Sequence, residues 1–459
     1  MKPEDLRLAG NLAAAYHASA RAVESDPSAE NLAVRAKVLL DHGHVPAAHD
    51  VALRAVHRDP ASISAITALG LANIDMGRPH EAWDALDTLT GHAPDSPDAA
   101  LMFARLHHEC GMPGEALDVL DRAIARHPVH PDLRLTRAGC REAEEQPDAV
   151  MGDLNAILAR FPQHVNALAF RGLLHGDDSR YALALADADA AYRLCPGSVL
   201  ACCALTLARA YAGDLDAAEV AARRAMEFSG GGHLAYAVMA VVHYARGDKE
   251  NALRRLLAGG RYGSSSDAIS LADIKLTACF DMEEYDHALA AADQILALRP
   301  GNVAARSMRS MLLLFFDRDD DALEEAEKVL ERRPHDFRAL SVRALLHLRA
   351  GRWSNAEHDA LQAMNGRDRR AALFVHGVAC VQLGRLIEAD AALRGLQQTS
   401  AGEQYAQSLA QSIDAALGVA ARPQAALPAG HLSQNRENLN TGLQIVGTAA
   451  TVIGLFVGA

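Results

Sequence analysis

The sequence predicts an all-α fold, a right-handed solenoid of helical hairpins, and three observations predict it. Pro60, Pro94, Pro128, Pro162 and Pro196 stand 34 residues apart, and Pro300 and Pro334 resume the interval. A fixed period of that size marks stacked supersecondary units. Within the period Val165–Pro196, Leu168, Gly172 and His175 share one helical stripe; after Asp177–Asp178, Ala184, Ala188 and Ala191 form a second. The proline that follows cannot continue a helix. Half the residues are hydrophobic and only 5% are aromatic, which suits thin layers of Ala and Leu.

This helix–turn–helix unit resembles the tetratricopeptide repeat, with its small residue in the first helix, alanines in the second and a closing proline. The resemblance covers residues 29–403 as about eleven units, and it implies a superhelix whose first helices line an inner groove. A chain of 459 residues would otherwise suggest two to four globular domains. A repeat array grows without a larger core, because each unit packs only on its neighbours.

Residues 1–28 read as an N-terminal capping half-repeat, with Ala15, Ala18, Ala22 and Val23 striped before Pro27. The first full unit carries Leu32, Ala36 and Leu39, a turn at Gly43, then Ala48, Ala52 and Ala55. The second and third repeat the scheme through Gly70 and Gly77, and through Ala104 and Gly111. A large residue at the small position would overpack the hairpin, at about 1–3 kcal/mol. Gly43, Gly77, Gly111, Gly213, Gly247, Gly351 and Gly384 end first helices, where a left-handed residue is commonly needed. The fourth unit is irregular at Glu144–Pro147. Gly/Ser sequence between 229 and 268 reads equally as a hinge or as a longer loop. Beyond the array, 404–418 reads as a C-terminal capping helix and 419–441 as a flexible linker. Residues 442–459 form an uncharged tail, GLQIVGTAATVIGLFVGA.

Nothing in the sequence converges on catalysis, and neither a cofactor nor a metal is expected. There is no HExxH, no phosphate-binding Gly-rich loop with Lys, no nucleophile elbow and no CxxC. Seven scattered cysteines read as reduced cytosolic thiols. The groups His107–Cys110 and His42, His44, His49 read as solvated or groove-facing histidines rather than ligand sets. The net charge of −13 argues against nucleic acid as the partner. MKPEDLRLAG lacks the apolar run of a secretory signal, so the array is expected to be cytoplasmic.

Phase within the repeat assigns the inner face to Met102, Leu135, Phe170, Leu173, Leu207, Val241, Tyr244, Phe280, Met308, Met311, Leu345, Phe374 and Val378. Charge in that phase is sparse: Lys37, Arg105, Asp273 and Arg338. Such a wall suits an apolar or amphipathic peptide segment, or else it is inter-repeat core. The cluster of Lys, Arg and Asn with which some such modules hold a terminal carboxylate is not found. The expected function is a non-enzymatic protein–protein scaffold.

The tail has three readings. As a membrane helix its eighteen residues span about 27 Å, just short of the hydrocarbon core, and Ala450, Gly454 and Gly458 make a small-residue stripe. As a self-association segment it offers Ile445, Val446, Val452 and Ile453, in a pattern similar to the amyloid-type signalling motifs of some bacterial proteins. As a docking peptide it lays Leu455 and Phe456 with those residues into the groove of its own or a neighbouring chain. A rival function follows: a recruitment subunit of a multi-protein system, oligomerising through the tail.

Overall fold

A computed structural model describes residues 1–143, 146–259, 265–364 and 370–397, together with 409, 410 and 413. The tail, the linker and most of the C-terminal cap expected from the sequence lie outside the described residues. Two helices open the chain, α1 (Pro3–Leu8) and α2 (Leu12–Ser25). Hairpins follow: α3 (Ala29–Asp41) with α4 (Val45–Arg58), α5 (Ile63–Asp75) with α6 (Pro79–His92), and α7 (Pro97–Glu109) with α8 (Pro113–Arg126). Next come α9 (Pro131–Ala143) with α10 (Pro147–Arg160), α11 (Val165–Asp177) with α12 (Tyr181–Leu194), and α13 (Val199–Tyr211) with α14 (Leu215–Ser229). After these lie α15 (His233–Ala245) with α16 (Lys249–Ala258), and α17 (Ser265–Asp281) with α18 (Tyr285–Leu298). The last are α19 (Val303–Phe315) with α20 (Asp319–Arg332), α21 (Phe337–Arg349) with α22 (Trp353–Ala363), and α23 (Arg370–Gln382) with α24 (Leu386–Gln397). The fold is an all-α solenoid, and the described residues divide within α17 into two compact units, one up to Lys275 and one from Leu276 on.

Local chemistry explains why each hairpin forms. Most first helices begin with a side chain that caps a free backbone N–H. Ser28, Ser62, Ser96, Ser198, Asn302 and Asp336 each accept from the amide three residues on. The first helix then stops on a left-handed residue. Gly43, Gly77, Gly111, Gly213, Gly247, Gly351 and Gly384 all have φ between 69° and 79°. Ser179, Glu283 and Asp317 hold the same turn at φ 60°, 65° and 53° without glycine's freedom. Inside the hairpin, Ala48, Ala52, Ala55, Ala184, Ala188 and Ala191 are buried. The small residue opposite them is required by backbone: a Cβ on Gly172 would stand 3.2 Å from the Ala184 carbonyl and the Ala188 amide.

A second device ties hairpins together, and periodicity alone did not reveal it. Arg137 of α9 donates to Asp121 of α8 behind it and to Asp153 of α10 ahead, each 16 residues away. Arg171 does the same with Asn155 and Asp187. In the second unit Arg309 bonds Asp293 at 2.7 Å and lies 3.7 Å from Glu325, and Arg343 is bidentate on Asp359. One guanidinium on a first helix thus bridges second helices of consecutive repeats, a use for which its planar fork suits arginine.

Candidate binding surface

In the first unit the inner side of the first helices is closed by the chain itself. The guanidinium of Arg7, on α1, is 6% exposed. It donates to Asp41 of α3 at 3.1 Å, to Asp132 of α9 at 2.8 Å and to Glu4 at 2.9 Å. Burial pushes the Asp41 carboxyl up to about 7, against the pull of Arg7. Burial also acts to raise Asp132, but there the charge of Arg7 wins and holds the group below the usual carboxylate range. Lys37 donates to Asp98 at 3.2 Å, and Arg105 is paired with Asp75. A crevice of about 20 Å³, lined by Arg7, Lys37, Asp41, Asp98, Asp132 and Leu135, is what remains. That is room for about one water.

Backbone contacts complete the closure. The Val165 amide donates to the Gly10 carbonyl at 3.3 Å, and the Val199 amide donates to the His42 carbonyl at 3.0 Å. A Cβ at Gly10, whose φ is +74°, would fall 2.4 Å from His164 Cα, so only glycine lets the chain pass there. The turn after α3 therefore touches the loop between α12 and α13, and the rings of His44 and Phe228 stack with centroids 5.8 Å apart. Sequence reasoning assigned a lone second helix to residues 1–28 and missed α1. A six-residue helix carries too little periodicity to be read, and Arg7 looks like any surface arginine until α9 is brought beside it.

The apolar residues assigned to the inner face divide in two. Met102, Leu135, Phe170, Leu173, Leu207, Val241, Phe280, Met308 and Val378 are buried. Tyr244, Met311, Leu345 and Phe374 are half-buried. Of the charged residues in that phase, Lys37 and Arg105 are buried and ion-paired. The histidines singled out for their spacing are partnered within the protein, and His42 and His107 are buried rather than solvated. His42 Nδ1–H donates to the Val38 carbonyl at 2.8 Å, His49 lies 3.1 Å from Asn73, and His107 stacks on Phe103 at 3.7 Å. Among the described residues no helix is long and apolar enough to cross a membrane.

These observations define a class: an all-α solenoid of short helical hairpins, stacked through alanine-rich faces. Residues 73–140 match a family model described as tetratricopeptide repeat, and residues 152–199 and 318–368 match a second model of the same description. No curated protein sequence matches the chain. Among solved structures it is similar to one titled as the APC/C hetero-tetramer Cut9-Hcn1, at 14% identity and a TM-score of 0.51 over 76% of each chain. A tetratricopeptide repeat protein from Parabacteroides merdae aligns at 16% identity over 55% of this chain and 98% of that one, with a TM-score of 0.38. Yeast Tom70 aligns at 14% identity over 86% and 98%, with a TM-score of 0.40. The chain carries tetratricopeptide repeats over residues 73–140, 152–199 and 318–368, and the repeats support a protein–protein interaction scaffold.

Proposed function

We propose that the protein is a scaffold that takes an apolar or amphipathic peptide segment against the first helices of its second unit. The supporting observation is positional. Met311 of α19 and Leu345 of α21 occupy equivalent places one repeat apart, and both keep part of their surface exposed while their neighbours are buried; Phe374 of α23 is half-buried too. Partly open apolar side chains on successive first helices are what a helix laid in a groove would meet. In the first unit the inner wall holds the chain's own α1, and Tyr244 is the half-buried member of the assigned set.

The test is site-specific photo-crosslinking in cells. A benzophenone side chain at Leu345 or Phe374 is expected to trap a discrete partner, whereas one at Ile387, which is 85% exposed on α24, is not. Met311→Glu with Leu345→Glu is expected to abolish the adduct with helicity unchanged. Equal adducts from all three positions, or an adduct that survives the double substitution, would sink the proposal.

The uncharged tail supports a second reading, in which residues 442–459 contact a membrane, associate with other copies to recruit a partner, or dock into a groove. Fractionation of the full chain against a truncation at Gly442 separates these outcomes. Carbonate-resistant sedimentation lost on truncation supports the membrane, detergent-resistant assemblies support self-association, and unchanged behaviour removes both.

A further inference from the structure

Outside the surface just described, one cluster of side chains has the composition of a metal site. Glu357 lies on α22, and His376 and Cys380 lie one turn apart on α23, so the last two project from the same face of their helix. The Cys380 Sγ is 3.7 Å from both ring nitrogens of His376 and 4.0 Å from Oε1 of Glu357. His376 Nδ1 is itself 4.0 Å from that oxygen. Among the described residues this is the one trio of potential ligands whose donor atoms all lie within 4.8 Å of one another.

The distances can be compared with what an ion demands. Zinc bonds sulfur at about 2.3 Å and nitrogen or oxygen at about 2.0–2.1 Å, so neighbouring ligands of a tetrahedral site stand about 3.3–3.6 Å apart. The three edges here exceed that by a few tenths of an ångström, within reach of small side-chain rotations. All three residues are buried, Cys380 completely. A thiol with an imidazole and a single carboxylate suits zinc better than calcium or magnesium, which want oxygen ligands.

The surroundings fit as well. Arg385 donates to Glu357 at 2.6–2.7 Å and also pairs with Glu388. Its Nη1 lies 2.6 Å from Oε1 and 2.7 Å from Oε2, so on metal binding it would keep Oε2 alone while Oε1 turned to the ion, the kind of support that orients a ligating carboxylate. The Arg385 side chain is 42% exposed. We propose that Glu357, His376 and Cys380 form a binding site for a divalent zinc ion, with water as the fourth ligand. Binding exchanges the thiol proton for a sulfur–zinc bond and releases that proton to solvent. Burial keeps the Cys380 thiol protonated without metal, up to about 11, and holds His376 below its ordinary value and so neutral.

The proposal stands apart from the peptide-binding reading, since the test needs no partner. The full chain, stripped by a chelator, is titrated with cobalt(II) and then zinc. A thiolate-to-cobalt charge-transfer band in the near ultraviolet is expected, saturating at one ion per chain and removed by zinc. It should be absent from Cys380→Ser and retained in Cys195→Ser. Glu357→Gln and His376→Gln should each weaken cobalt binding at least tenfold, with circular dichroism matching the parent. No band in the parent chain, a band that persists in Cys380→Ser, or affinity unchanged by both glutamine variants overturns the site.

Discussion

At the scale of single residues, His164 shows how one side chain couples a helix start to pH. It is 3% exposed, and its Nδ1 accepts from the Ala167 amide at 3.3 Å, capping α11. The neutral ring alone can accept there. Burial holds its pKa down at about 4, against an ordinary value of 6.5. A folded pKa below the unfolded one means stability is fully present above 6.5 and is lost as pH falls from 6.5 towards 4. The loss is on the order of 3 kcal/mol, at 1.36 kcal/mol per pKa unit. His164→Asn keeps a capping acceptor and removes the titration. The urea midpoint of this variant is expected to fall less between pH 7.5 and 4.5 than that of the parent. Asp41, raised to about 7, acts with the opposite sign, losing its contribution as pH rises from about 4 to 7. It is present in both chains and cancels in the comparison. An identical fall in both would remove His164 from the account.

At the scale of elements, the arginine bridges decide how well one hairpin holds the next. Their strengths should differ with burial. Asp153 is 2% exposed and accepts from Arg134, Arg137 and Arg141. Losing the charge of a buried partner leaves the remaining ions uncompensated, which costs about 3–5 kcal/mol. Asp187 is 13% exposed and serves Arg171, itself 25% exposed, so solvent screens the pair and it contributes about 1 kcal/mol. Asp153→Asn is therefore expected to destabilise the chain several times more than Asp187→Asn. Amide exchange should quicken in α9 and α10 for the first and in α11 and α12 for the second. Equal effects would mean the bridges do not carry the coupling between hairpins.

At the scale of the whole molecule, the first unit is completed by a segment that is no repeat. Arg7 ties α1 to α3 and α9, elements 34 and 125 residues away along the chain. Arg7→Met keeps much of the packing and leaves Asp41 and Asp132 buried without their cation, an expected loss of about 3 kcal/mol. Exchange should then rise in α1, α3 and α9 and stay unchanged in α19 to α24, which belong to the second unit. Protection unchanged in α3 would show that α1 merely rests on the wall.

Much of this was legible in the chain. The 34-residue beat, the alanine stripes and the turn glycines are local patterns, and local sterics impose them whatever the neighbours do. The turns at Ser179, Glu283 and Asp317 were harder to read, because the stacked helices on either side hold a left-handed conformation that the residue itself does not favour. His376 and Cys380 are one turn apart and could have been paired by spacing; Glu357, on another helix, could not. The same limit hid the bridges from Arg137 and Arg171, which depend on the register between helices.

By itself, then, the sequence determined the repeat, its class of fold and where each hairpin turns, since these follow from side-chain volume and backbone preference within some thirty residues. Only the tertiary structure decided which inner-face residues keep any surface, that α1 fills the inner wall of the first unit, and that an acid, an imidazole and a thiol meet between α22 and α23. Those outcomes rest on how the hairpins of each unit pack on one another, the sum of small rotations at successive contacts within it, and no single stretch of chain encodes a sum.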